Sequence, residues 1–153
     1  MPVLMVKDIS VSKKFYQDTL SLEIENDFGE NIVFKDSISI WQTKTAEKII
    51  FNSEKRFPSI KPKSLELYFE TTNLEEIWKK LIDKSIDLIH GLNEESWGQR
   101  NFRFFDPDGY IIEVAEPIYQ VILRLAKAGL NEEEIAEKTQ MSIEEVKKTL
   151  NKI

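Results

Sequence analysis

Phe102-Arg103-Phe104-Phe105-Asp106-Pro107-Asp108-Gly109-Tyr110-Ile111-Ile112-Glu113-Val114 reads as two short strands joined by a tight turn. Pro107 fixes φ, the aspartates can cap locally, and Gly109 tolerates positive φ, which is β-turn chemistry. The flanking residues follow the strand period. Phe102 and Phe104 fall on one face, opposite Arg103 and Phe105. Strands are therefore expected at about 101–105 and 110–115.

Upstream, Leu65, Leu67 and Phe69 alternate with Glu66, Tyr68 and Glu70, a strand with one apolar face. Asn73 with Glu76 three positions on resembles a capping box. The helix it opens carries Leu74, Ile77, Trp78, Leu81 and Ile82 along one stripe. With a strand at about 85–90, the order is strand, helix, three strands. The same order occurs earlier: a strand over Pro2 to Val6, a helix capped by Ser10 and striped by Val11, Phe15 and Leu20, then strands over Leu22 to Phe28, Asn31 to Phe34 and Ile38 to Gln42. Asp8-Ile9 heads the first helix as Asn73-Leu74 heads the second, an offset of 65. Between the repeats, Ile49-Ile50-Phe51 fit a strand or a packed loop, and Pro58 and Pro62 mark a linker. Periodicity alone also fits an ordinary ferredoxin-like fold.

After Pro117 the pattern becomes helical, with Gly129 suited to a helix end and capping-box pairs at Asn131/Glu134 and Ser142/Glu145. Three helices are expected, at about 117–128, 132–139 and 143–151, with Ile122, Leu125, Leu130, Ile135, Ile143, Val146 and Leu150 as a small core.

Composition narrows the function classes. The 153 residues suit one domain with a small appendage, 41% apolar and 31% charged. No apolar run approaches the roughly 20 residues of a membrane span, so no membrane partner is expected. The start is too short and too soon charged for a signal peptide, pointing to the cytoplasm. The absence of cysteine excludes disulfides, thiolate metal sites and a cysteine nucleophile. Six of the 21 Lys/Arg and six of the 27 Asp/Glu follow residue 116, so the net charge of -6 lies entirely in residues 1–116. That balance argues against polyanion binding.

The hairpin over 102–114, with Trp97-Gly98-Gln99-Arg100 before it, resembles the last hairpin of glyoxalase-type proteins. Val6-Lys7-Asp8-Ile9 with Phe15-Tyr16 and Leu20 resembles their first strand and helix. The resembled group is the vicinal-oxygen-chelate superfamily of glyoxalases, extradiol dioxygenases and bleomycin-resistance proteins. It implies an α+β fold of two βαβββ modules, about 1–57 and 63–116, forming a cup-shaped mixed sheet as one domain over 1–116. A helical appendage follows over 117–153, and family habit suggests a homodimer.

In metal-dependent members of that superfamily, the first and last strands of each module supply the ligands. The resemblance carries this onto Glu66 and Glu113, but onto Met1 and Ser39 in the first module, with Trp41 two residues further. Two carboxylates, a hydroxyl and a thioether are a poor set for a catalytic ion. No cofactor is therefore expected, with a divalent metal kept only at Glu66 and Glu113.

Glu66 and Glu113 are read as two acids meeting across the pseudo-dyad in one hollow, where like charges would raise one pKa and produce a general base or acid. Arg100 or Arg103 would instead neutralise one of them as a structural ion pair. His90, the only histidine, lies before the loop with Trp97 and Arg100 and is a candidate proton shuttle or orienting group, although a lone histidine is more often structural. Aromatic side chains are core by default. Those proposed for a lining are Trp41, Tyr68, Trp97, Phe102 and Phe104, beside an apolar wall of Met1, Val3 and Met5.

The tail resembles a helix-turn-helix, but Glu144 and Glu145 would lead the recognition helix towards phosphates, so nucleic acid is not the expected partner. The leading expectation is small-molecule binding in the cup, as a lyase or isomerase without the usual metal set. The other is a ligand-sensing or sequestering protein whose C-terminal helices meet a partner.

Overall fold

A computed structural model describes residues 1–51 and 65–152. The linker expected around Pro58 and Pro62 lies outside these residues. The elements run β1 (Val3–Val6), α1 (Ile9–Leu20), β2 (Ile24–Asp27), β3 (Asn31–Phe34), β4 (Ser39–Gln42), α2 (Thr43–Phe51), β5 (Glu66–Glu70), α3 (Leu74–Ile82), β6 (Leu88–Glu94), β7 (Arg100–Phe105), β8 (Ile111–Ala115), α4 (Ile118–Lys127), α5 (Glu132–Thr139) and α6 (Ile143–Leu150). The protein is α+β, with two open four-stranded sheets in the orders β1-β4-β3-β2 and β5-β8-β7-β6. Each sheet has the same strand sequence around its helix, as the repeat at offset 65 requires.

The described residues form two compact units. The first holds 1–51, 65 and 105–111; the second holds 66–104 and 112–152. In the first, β1 runs parallel to β4, and β3 pairs antiparallel with β4 and β2. Leu4, Val6, Ile32, Phe34 and Ile40 are buried on one face, with the Tyr16 ring of α1 at 5.8 Å from Phe34. At roughly 1.5–3 kcal/mol per buried side chain, this face anchors α1. Asp8, rather than Ser10, caps that helix, accepting from the amides of Ser10 and Val11. Ser10 would have placed the cap two residues late. Ile49-Ile50-Phe51, read as a strand or packed loop, are the end of helix α2: Ala46 and Glu47 are buried on it while Ile49 and Ile50 stay exposed.

The turn after β7 packs in this first unit. Asp108 accepts from the Lys7 amide and the Ser12 hydroxyl. The buried Tyr16 hydroxyl donates to Asp106 at 2.8 Å, and the Tyr110 hydroxyl donates to the Met5 carbonyl. Burial pushes the Tyr16 and Asp106 pKa values up; the hydrogen bond between them adds to the rise of Tyr16 and opposes that of Asp106. The turn motif is therefore a clasp on α1.

In the second unit, β6 and β7 are antiparallel with two register shifts. At the far edge, β5 lies beside β8, with the Thr71 amide donating to Ala115. Leu67, Phe102, Phe104, Ile112 and Val114 are buried on one face. The Trp78 ring of α3 lies 5.2 Å from Phe102, and Phe102 stacks on Phe104 at 5.9 Å. Asn73 heads α3 without a side-chain cap; the Thr71 hydroxyl accepts from the Asn73 amide instead.

Helices α4, α5 and α6 share a core of Val121, Ile122, Leu125, Ile135, Ala136 and Val146, with Leu130 and Leu150 against it. Ile143, expected in that core, is exposed at the first position of α6. Both capping boxes are formed. The appendage is fixed to the second sheet by Glu116. This residue is 1% exposed and accepts from the amide and guanidinium of Arg100 and from Arg124 at 2.6 Å. Burial alone would raise its pKa, but the two arginines outweigh burial and lower it. Arg124 also donates to the Gly98 carbonyl and to Glu94. No helix among the described residues is long and apolar enough to cross a membrane.

Candidate functional site

Strand alternation places Glu66 and Tyr68 on one face of β5, and Leu67 on the other. It does the same for Asn101 and Arg103 on β7 against Phe102 and Phe104, and for Glu113 on β8 against Ile112 and Val114. The apolar set faces α3, so the polar set lines the open face. Glu66 and Glu113 do share this face. They do so as residues of adjacent strands in one sheet of the second module, not across a pseudo-dyad between modules.

Arg103 stands at the centre. Its Nε donates to Glu66 at 3.0 Å, one terminal nitrogen donates to Glu95 at 3.1 Å and the other to Glu113 at 2.5 Å. The nitrogen bound to Glu95 also lies 3.1 Å from His90 Nε2. His90 Nδ1 lies 2.8 Å from the Gly91 carbonyl, which can only accept, so Nδ1 carries the proton and Nε2 accepts from Arg103. A register shift between Leu88 and His90 puts His90 opposite Arg103. Unshifted pairing would set it opposite Phe102, on the core face.

Glu113 is 4% exposed. Burial pushes its pKa up, Arg103 and the Asn101 amide at 2.8 Å pull it down, and the neighbouring Glu66 raises it again; the balance is upward. Glu95 is lowered by its hydrogen bonds from Asn101 and Arg103. The Arg103 pKa is raised: burial opposes its charge, but Glu95, Glu66 and Glu113 outweigh burial. Asn101 is fully buried, gives its amide hydrogens to Glu95 and Glu113, and leaves Oδ1 without a partner among the described residues.

The remaining expected residues fall into four places. Tyr68 donates to Glu70 and accepts from Gln99, whose oxygen accepts from Trp97. Burial and Glu70 push the Tyr68 pKa up to about 12, and the charge of Glu113 adds to this, which places Tyr68 beside the cluster. Arg100 is turned away onto Glu116 and Glu75. Phe102 is fully buried against Trp78, so it is core and not lining. In the first unit, Met5 pairs with Trp41 across β1 and β4, and Val3 pairs with Ser39. The Ser39 hydroxyl donates to the Ile32 carbonyl and accepts from Asn31. Glu95 and Asn101 were not singled out from the sequence, although Asn101 lies two residues from Arg103 on the same strand face.

The family model for the glyoxalase-like domain matches residues 1–119. The chain belongs to the glyoxalase-like domain family. Among solved structures, this glyoxalase-like chain is 35% identical to a protein of unknown function from Agrobacterium tumefaciens, with a TM-score of 0.66, covering 76% of this chain and 90% of that one. It has the fold of a lactoylglutathione lyase from Agrobacterium tumefaciens (19% identity, TM-score 0.60, 76% of this chain and 91% of that one). It also has the fold of a glyoxalase-related enzyme from Fulvimarina pelagi (18% identity, TM-score 0.63, 75% and 84%). No curated protein matches. The family places the chain in the vicinal-oxygen-chelate superfamily.

A metal at Glu66 and Glu113 does not fit the residues present. Ligand oxygens must close to about 2.0–2.2 Å around an ion. The Arg103 guanidinium already stands between those oxygens, and its charge repels a second cation. Among the described residues, no group of three or more His, Asp or Glu is arranged to hold a metal ion. A separate pocket of about 290 Å³, lined by Arg100, Glu116, Gln120, Leu123, Arg124 and Lys127, lies beside the Glu116 anchor. Its arginines are already engaged by carboxylates.

Proposed function

We propose that this glyoxalase-like chain binds a small carbonyl compound on the open face of its second sheet and moves a proton at the carbon beside the carbonyl. The observation that carries the reading is the buried Glu113, with its pKa raised, in direct contact with a fixed guanidinium. A carboxyl whose pKa is raised towards neutrality exchanges protons more readily there than an ordinary glutamate. Arg103 has five N–H groups, and Glu66, Glu95, Glu113 and His90 use four of them. The fifth is free, among the described residues, to polarise a ligand oxygen as charge develops on it. His90 orients Arg103, and Tyr68 with Trp97 supplies flat surface beside the cluster.

The test is a thermal-shift screen of small aldehydes, ketones and enols, followed by turnover measurements on any hit. A genuine ligand raises the melting temperature of the wild type, and Glu113→Gln removes turnover while retaining binding. A hit that stabilises wild type and Arg103→Met equally would place the ligand elsewhere and defeat the reading.

A second reading, ligand sensing without turnover, is favoured by one local observation. Glu95 belongs to the cluster, while its neighbour Glu94 holds Arg124 and Lys138 of the appendage. Hydrogen exchange in α4 and α5 that changes on ligand binding, without product formation, would favour this reading over catalysis.

A further inference from the structure

Gln120, Leu123, Arg124 and Lys127 stand at positions i, i+3, i+4 and i+7 of α4, so the helix presents them on one face. With Arg100 and Glu116 they line the pocket of about 290 Å³ at the joint between β7 and the appendage. That volume lies at the lower end of small-ligand sites. Arg100 has the strand parity of Phe102 and Phe104, opposite to that of Arg103, so the pocket is separate from the Glu113 cluster. The four α4 residues also follow the glyoxalase-like match over 1–119, so the pocket belongs to the appendage and not to the family domain alone.

The lining holds three cations against one carboxylate. Glu116 is 1% exposed and already accepts from both guanidiniums. The second partners, Glu75 and Glu94, lie outside the lining with side chains 53% and 41% exposed, where water and salt screen them. The arginines keep donors in reserve, because a guanidinium has five N–H groups. Arg100 gives its guanidinium hydrogens to Glu116 and Glu75, which uses three of the five. Arg124 uses three on Glu94, the Gly98 carbonyl and Glu116, and its Nε is buried without an acceptor among the described residues. The Lys127 ammonium and the Gln120 side-chain amide have no hydrogen-bond or ion-pair partner among the described residues.

We propose that this pocket binds a small organic carboxylate of single negative charge, with the carboxylate on Lys127, Gln120 and the spare arginine N–H groups and the apolar part on Leu123. Arginine forks suit a planar carboxylate. Leu123, the one apolar side chain in the lining, favours a chain-bearing acid over an inorganic ion. Glu116 disfavours a dianion at the same place. The bound acid bridges β7 and α4, so it tightens the joint that Glu116 anchors.

The full chain is titrated with sodium butyrate, against sodium chloride at equal ionic strength and against inorganic phosphate, and followed by ¹H–¹⁵N NMR, melting temperature and amide exchange. Butyrate should give saturable shifts at Arg100, Gln120 and Lys127, slow exchange in α4, and raise the melting temperature by about 3–6 °C at ten times its Kd. Acetate, with no chain to lie on Leu123, should bind about 3–10-fold more weakly. Lys127 is exposed, so its variants fold: Lys127→Gln should weaken butyrate about 2–5-fold and Lys127→Glu should abolish the saturable shifts. Lys148→Gln, the same charge change at an exposed position of α6, should leave the affinity unchanged. Arg103→Met should bind butyrate as the wild type does, which separates this site from the one proposed for carbonyl compounds. Shifts that follow ionic strength alone, or that survive Lys127→Glu, overturn the proposal. Phosphate binding tighter than butyrate at the same residues overturns the carboxylate assignment.

Discussion

Replacing Glu116 with glutamine removes one negative charge from a position 1% exposed that neutralises two arginines. The amide oxygen can still accept from one guanidinium, but the amide nitrogen then faces the other donor to donor. Removing one partner of a fully buried ion pair costs about 3–5 kcal/mol. Here the arginine side chains are 28% and 30% exposed, and each keeps a second partner, Glu75 for Arg100 and Glu94 for Arg124. Rehydration and those partners reduce the expected loss to about 2–3 kcal/mol. For a chain of this size, that is a fall in melting temperature of about 4–12 °C. Circular dichroism melts and urea titration measure it, with Glu75→Gln as the control: its side chain is 53% exposed and should cost about 0–1 kcal/mol. Amide exchange in α4 should accelerate more than in β7, because Glu116 fixes the appendage. A Glu116→Gln protein that melts within 2 °C of wild type would refute the anchor.

Other outcomes follow from the same structure. Tyr16→Phe leaves the buried Asp106 one donor short, though the Asp108 and Tyr110 amides remain, and should cost about 1–2 kcal/mol in chemical denaturation. Gly98→Ala forces a side chain onto a backbone with φ +85 and brings its Cβ to 2.9 Å from Lys138 Cε; about 1–2 kcal/mol should be lost. The pH dependence has two signs. Glu95 and Glu116 have lowered pKa values, so the stability they contribute is present above the ordinary glutamate value of 4.5 and is lost as pH falls through their folded values. Glu113 is raised, so its contribution is present below 4.5 and is lost as pH rises through its folded value. The melting-temperature difference between wild type and Glu113→Gln should therefore favour wild type more strongly as pH falls from neutrality towards 4.5.

Much of the fold was legible because local chemistry and global packing agree in it. The strand Asn31–Phe34, the helix over 132–139 and both appendage capping boxes lie where turn and cap residues put them. Alternation also put Glu66 and Glu113 on a common face, although both belong to one module. Failures occurred where tertiary contacts decide. Asp8 rather than Ser10 caps α1, because the Asp8 carboxylate reaches two amides. Phe102 was read correctly as opposite to Arg103, yet aromatics occur on both faces of β7, and only packing against Trp78 identifies the core side. His90 could not be placed, since the register shifts in β6 move it from one face to the other and leave no sequence signal. Glu116 was missed because its charge is explained by Arg124, in a helix beyond the repeat.

Site-specific carboxyl-carbon NMR, titrating Glu113 in wild type and in Arg103→Met, measures the electrostatic balance on which the site depends. Glu113 should titrate above the ordinary glutamate range in wild type and higher still in the variant, where burial and Glu66 act without the opposing guanidinium. Titration of Glu113 at or below the ordinary value in wild type, or a downward move in the variant, would contradict a buried acid poised by Arg103.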